Sequence, residues 1–202
     1  ILRSDADTAL AGAGEAKINP LLMVRQCLLK RATFGGNDQP EKACRPFDAD
    51  ASGSVFGEGA AVLVLEEYEQ ARKRGAAVLA EYAGGASGWT PTEDYVRMKK
   101  DGKGLERVIK SALDEAAVRP EDLDLVIPHG TGIPCDDLFE AVSLQNVLGE
   151  SAADVPVWPI KSLLSHTGSA SGAMDILAAA LAMKNGTIGK AFNFDRPAEG
   201  CR

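Results

Sequence analysis

The chain carries only two histidines, and each heads a glycine-rich turn: His129 in VIPHGTGIPCDD and His166 in IKSLLSHTGSASGA. An imidazole titrates near neutral pH, so it can exchange a proton or donate a hydrogen bond to charge that develops during a reaction. Glycines beside it let the backbone come close to a ligand, and Thr131 adds a hydroxyl. A single histidine in such a place is often a packed group satisfied by the backbone. Two of them, with Lys161 five residues before the second, favour chemistry. The run of small residues after His166 opens a helix, whose N-terminal N–H groups and dipole favour negative charge. An acid such as Asp137 or Glu140 is the expected partner of Lys161. The arrangement asks for a nucleophile. Cys135, six residues after His129, is the one cysteine near a histidine in sequence. A reactive thiol needs exposure and a neighbouring base, and a packed free thiol is the expectation here.

These groups must be carried by elements. Thr8–Glu15 reads as a short buried strand running into a turn. Asn19-Pro20 is a helix-start signal, followed by Leu21, Val24, Leu28 and Leu29 at helical spacing. Gly35, Gly36, Asn37, Asp38 and Pro40 mark a loop. Ala60–Leu65 is apolar on both faces, as in a strand buried inside a sheet, and Glu66–Arg74 is a charged helix with a Glu69/Lys73 pair and Gly75 as its C-cap. Leu79–Tyr82 is an expected strand, and residues 84–102 an expected mobile loop. Leu105, Val108, Ile109, Ala112 and Leu113 line one face of a helix that ends near Pro120. Leu123–Ile127 is an expected buried strand delivering His129, Asp136–Leu148 a helix, and Val155–Ile160 a strand leading to Lys161. Ala170–Lys184 is a helix of small and apolar residues closed by Asn185-Gly186. Strand and helix alternate, which implies an α/β layered fold with a largely internal sheet.

The bulk properties agree with a soluble globular chain. Its 202 residues suffice for one ordinary domain or two small ones, with 45% hydrophobic and 25% charged residues. A net charge of −7 argues against nucleic acid as a partner, because no basic surplus is available for phosphates. No run approaches the roughly 18 apolar residues of a membrane span and no signal peptide opens the chain, so a cytoplasmic setting is expected. Cys27, Cys44, Cys135 and Cys201 show no CxxC spacing, so neither a metal site nor a disulfide framework is indicated.

Beyond the two histidine turns, the chain shows CRPFD at 44–48, GEGAAVLVLE at 57–66, DADTALAGAGE at 5–15 and Asn193 near its end. Together these motifs resemble, in collinear order, the β-ketoacyl synthases, condensing enzymes of the thiolase fold. The resemblance implies a partial thiolase-like layered α/β/α fold. Residues 1–76 would be the end of the N-terminal half and 77–202 most of the C-terminal half. It implies an acyltransferase, a 3-oxoacyl-[acyl-carrier-protein] synthase of fatty-acid or polyketide biosynthesis. His129 and His166 would be its catalytic histidines, binding the thioester carbonyl of a malonyl extender and promoting decarboxylation. Lys161 would be the active-site lysine, and Asp137 and Glu140 the acids of its supporting network. Thr131 would touch the pantetheine arm of acyl carrier protein. Where the family has a second threonine this chain has Ile133, Ser165 stands in place of a glycine, and Pro128 in place of an alanine.

The family's nucleophilic cysteine precedes the matched region, so a missing N-terminal half, or a partner ketosynthase chain in a homo- or heterodimer, is expected to supply it. No cofactor is implied beyond the phosphopantetheine arm of the carrier protein. The alternative from the same resemblance is a non-catalytic subunit like a chain-length factor, which shapes the pocket without condensing. A degradative thiolase acting on coenzyme A thioesters comes third.

Overall fold

The computed structural model describes residues 1, 5–16, 18–90, 92 and 101–202. Two strands, β1 (Thr8–Glu15) and β2 (Gly59–Glu66), pair antiparallel from Thr8 opposite Glu66 to Glu15 opposite Gly59. Their side chains alternate as strand geometry requires. Ala9, Ala11, Ala13 and Leu63 are partly covered, while Leu10, Val62 and Val64 stand more than 60% exposed. The strand expected at Ala60–Leu65 is therefore present, but it is apolar on both faces without being buried on both.

Helix α1 (Pro20–Leu28) starts as its sequence signal predicts, with the Asn19 side chain accepting from the Leu22 N–H and Pro20 in the first turn. Helix α2 (Tyr68–Lys73) is shorter than expected. Glu67 caps it, and Glu69 pairs with Arg72 at 3.5 Å. Helix α3 (Lys103–Ala116) packs against α4 (Pro134–Leu148), and α6 (Ser171–Asn185) packs against β2 and ends at Gly186 with φ +63°. The core holds Phe47, Ile133, Phe139, Val147, Leu148, Val155 and Ile160, all less than 9% exposed. Burying one such large side chain stabilises by about 1.5–3 kcal/mol.

Three expected strands are not strands. Leu79–Tyr82 is irregular, and Leu79 and Tyr82 are exposed with no strand beside them among the described residues. Leu123–Ile127 and Val155–Ile160 meet only at one parallel bridge, Val126 to Val157. Prolines explain the short ladder, since Pro128, Pro156 and Pro159 lack the N–H that would extend it. Lys161 thus begins a one-turn helix, α5 (Lys161–Leu164), rather than following a strand. Of the loop expected at 84–102, residues 91 and 93–100 lie outside the described residues.

Candidate active site

The spine of the site is the extended segment 53–57. The Gly53 N–H donates to the Gly132 carbonyl at 3.0 Å and the Ser54 N–H to the Arg31 carbonyl at 2.7 Å. The His166 N–H donates to Val55 and the Gly57 N–H to His166, at 2.8 and 3.0 Å. One segment therefore fastens the His129 turn, the end of the Arg31 loop and the His166 turn together. The two imidazoles meet edge to face, with ring centroids 5.2 Å apart at 87°. The Phe56 ring lies tilted against that of His166, with centroids 5.5 Å apart.

The His129 turn is held from below by α4. Asp137 and Glu140, three residues apart, lie on one face of that helix. Glu140 accepts from the backbone N–H of His129 at 2.6 Å and of Gly130 at 2.8 Å. Asp137 accepts from Thr131, Gly132 and Phe47 at 2.9, 3.2 and 2.8 Å. Gly130 and Gly132 turn left-handed at φ +43° and +79°. A Cβ on Gly130 would meet Phe47 at 2.9 Å, and one on Gly132 the Gly53 carbonyl oxygen at 2.9 Å. Thr131 and Ile133 are buried at 1% and 4% exposure, and the Thr131 hydroxyl accepts from the Ile133 N–H. Burial pushes the Asp137 carboxyl up to about 7 against the pull of its three N–H donors, and burial raises Glu140 as well.

Lys161 is buried at 2% exposure, and its ammonium donates to Asp175 of α6 at 3.2 and 3.3 Å. The expected partners, Asp137 and Glu140, instead bind the backbone of the His129 turn, because that turn presents unpaired N–H groups directly above α4. Lys161 still acts on Glu140 through its charge. Asp175 is the residue that sequence reasoning missed. Its signal was a lone acid inside the otherwise apolar helix SGAMDILAAALAMKN.

Withdrawal from solvent, followed by the Lys161 charge, holds both imidazoles down at about 4. The His166 ring and its surroundings are part-buried, whereas His129 keeps an open face that tempers the first cause. At neutral pH both rings are neutral and able to donate. Arg31 also acts on both rings, and its guanidinium is paired with Asp136 at 2.6 Å. Cys135 stands beside Asp136, and burial followed by that carboxylate raises its thiol above the ordinary range. Burial likewise lifts Cys44 and Cys201 to about 11, so these thiols are poor nucleophiles at neutral pH.

Asp48 of the CRPFD motif ties the last residues of the chain to this frame. Burial works to raise its carboxyl, but the N–H groups of Arg196, Asp50 and Asp195 outweigh it and hold Asp48 at about 2. Asn193, at φ +57°, donates to the Glu41 and Cys44 carbonyls at 2.8 and 3.0 Å. A cavity of about 170 Å³ between Phe47, Leu144, Leu148 and Phe194, and a polar cleft of about 450 Å³ beside Lys42 and Ser52, both lie away from the histidine pair. Among the described residues no helix is long and apolar enough to cross a membrane, and no cluster of His, Cys, Asp and Glu could hold a metal ion.

Residues 1–71 match the family profile of the beta-ketoacyl synthase N-terminal domain, and residues 79–195 match that of the C-terminal domain. The chain belongs to the beta-ketoacyl synthases. It is 38% identical over 196 residues to the tetracenomycin polyketide synthase ketoacyl synthase alpha subunit of Streptomyces glaucescens, covering 97% of this chain and 46% of that protein. It is 36% identical over 202 residues to 3-oxoacyl-[acyl-carrier-protein] synthase 2 of Coxiella burnetii, covering 100% of this chain and 48% of that one. It superimposes, with a TM-score of 0.93 and 32% identity, on a ketosynthase bound to the hexaketide in complex with its type II acyl-carrier protein. That match covers 98% of this chain and 48% of the other. The fold is accordingly that of the thiolase-like ketosynthases, and the chain spans about half the length of the curated relatives it matches.

Proposed function

We propose that this chain supplies the histidine and lysine part of a β-ketoacyl-[acyl-carrier-protein] synthase site. The reaction is decarboxylative Claisen condensation in fatty-acid or polyketide assembly. The observation that carries the reading is the edge-to-face pair of neutral imidazoles, with the buried Lys161 paired to Asp175. Loss of CO2 from a malonyl thioester leaves an enolate, and its oxygen takes on negative charge. Two fixed N–H donors aimed at that oxygen stabilise the transition state without reorganising, and removing one such donor costs about 10²–10³-fold in rate. Lys161 lies near both rings and opposes their protonation, which keeps them donors. The enolate carbon then attacks an acyl thioester. A carbon–carbon bond forms, and the thiolate of a cysteine leaves.

That cysteine comes in our reading from the family's nucleophile-bearing portion, on the same or a partner chain of a dimer. Burial raises the thiols of Cys44, Cys135 and Cys201. The substrates arrive on the phosphopantetheine arm of acyl carrier protein, whose path passes the turn that holds the buried Thr131 and Ile133, and no further cofactor enters. We take the division near residue 76 as the join between the two halves. A chain-length-factor role is the second reading, and retention of both histidines and the lysine stands against it.

The test is CO2 release from malonyl-[acyl-carrier-protein], with the enolate quenched by water to the acetyl thioester. His129→Ala and His166→Ala are expected each to lower the rate about 100-fold or more. Equal release by the wild type and both variants would sink the reading.

A further inference from the structure

His166 is the better fastened of the two rings, and its Nδ1 lies 3.2 Å from the Ser171 hydroxyl oxygen. That oxygen is in turn 3.3 Å from the Thr167 hydroxyl. Ser171 and Thr167 are each 3% exposed, so water does not complete their hydrogen bonding. A neutral imidazole has one N–H and one bare nitrogen, and a hydroxyl has one proton to give. The three groups can therefore be strung together in either of two directions, or Ser171 can accept from both neighbours and leave its own proton without a partner.

In one direction Nδ1–H donates to Ser171 and Ser171 donates to Thr167. The Thr167 hydroxyl proton is then buried with no acceptor among the described residues, at the cost of an unmade bond. In the other direction Thr167 donates to Ser171, Ser171 donates to Nδ1, and every hydroxyl proton has a partner. Ser171 is also the first residue of the 15-residue helix α6. Its place in the positive first turn of that helix favours keeping the lone pairs of the oxygen toward the helix and the proton toward the ring. The backbone of His166 is fixed by its bonds to Val55 and Gly57, and the Phe56 ring packs against the imidazole.

We propose that Ser171, itself aimed by Thr167, is a positioning residue that makes Nδ1 of His166 an acceptor and leaves Nε2–H as the donor toward the substrate oxygen. The proposal rests on the condensing-enzyme reading for its purpose. Its structural content, a fixed tautomer, stands apart from any activity.

The experiment is long-range proton–nitrogen NMR at pH 7.5 on the whole chain labelled with nitrogen-15 histidine. Only two ring patterns exist, and His129→Gln identifies which is which. We expect His166 to carry its proton on Nε2. Ser171→Ala relaxes it to a mixture, Ser171→Thr restores the single tautomer, and Thr167→Val weakens the bias. A wild-type ring protonated on Nδ1, or an unchanged tautomer in Ser171→Ala, overturns the proposal. The wild-type spectrum decides even if a variant fails to fold. In the CO2 assay Ser171→Ala is expected to lower kcat about 3–10-fold with KM unchanged, the scale of one neutral hydrogen bond. Absence of CO2 release with the expected tautomer would count against the functional reading alone.

Discussion

The two histidine turns solve one problem by different means. The His129 turn is held through its backbone. Glycines occupy its left-handed positions, and two carboxylates of α4 collect its N–H groups from below. The His166 turn is held through its ring and by a parallel bridge to the 53–57 segment. Where the first turn uses glycine, the second places Ser165 at φ +63° and ψ 179°, a conformation close to glycine-only. One turn is fixed by satisfied polar groups, while the other carries strain that its surroundings must hold. Holding the backbone leaves the His129 ring its open face, whereas holding the ring selects a tautomer.

The largest expected effect breaks the first arrangement. Asp137→Asn turns an acceptor of three N–H groups into one oxygen and a competing donor. A loss of about 2–3 kcal/mol in urea unfolding is expected, the scale of charge-assisted bonds left unmade. An unchanged midpoint would mean that the carboxylate does not hold the turn. A change of residue size then separates the two turns by sign. Gly130→Ala should destabilise by about 1–3 kcal/mol, because φ is +43° and Phe47 blocks the new Cβ. Ser165→Gly should stabilise by about 1–2 kcal/mol, since it relieves a conformation of that cost. If thermal melts move both variants in the same direction, the contrast between the turns is wrong.

Acid sharpens the comparison further. Both histidines are held near 4 when folded, against about 6.5 in an unfolded chain. Between these values the unfolded state binds more protons. The histidine contribution is therefore intact above pH 6.5 and is lost as the pH falls toward 4. Asp137, Glu140 and Asp175, all raised by burial, act in the opposite sense across this window, so the histidine part is read as a difference: a His166→Gln variant should lose less stability on acidification than the wild type, and an identical pH profile would contradict it. The smallest effect expected is electrostatic. Lys161→Met removes the leading charge on both rings, so their titration should move up toward 6.5.

Much of the site was legible in sequence because it is local. The glycine turns, the Asn19-Pro20 helix start and the i,i+3 spacing of Asp137 and Glu140 are each written within a few residues. What was not legible depends on distant packing. The Lys161–Asp175 pair joins residues 14 apart across two helices, and only the lone acid of α6 hinted at it. The expected strands at 123–127 and 155–160 satisfy the apolar pattern, yet Pro128, Pro156 and Pro159 limit their pairing to one bridge. The strand expected at 79–82 has its apolar side chains but no neighbouring strand among the described residues. Hydrophobic runs record what a segment tolerates, and the ladder itself needs a partner with free N–H groups.

The central claim is that two adjacent imidazoles stay neutral and able to donate at working pH. With only two histidines, a proton NMR titration of their ring C–H signals from pH 3.5 to 8 reads it directly. The account predicts both midpoints near 4, far below the ordinary 6.5. A His166 midpoint above neutral pH would contradict it, because a ring charged at working pH could not be the neutral donor on which the proposed chemistry depends.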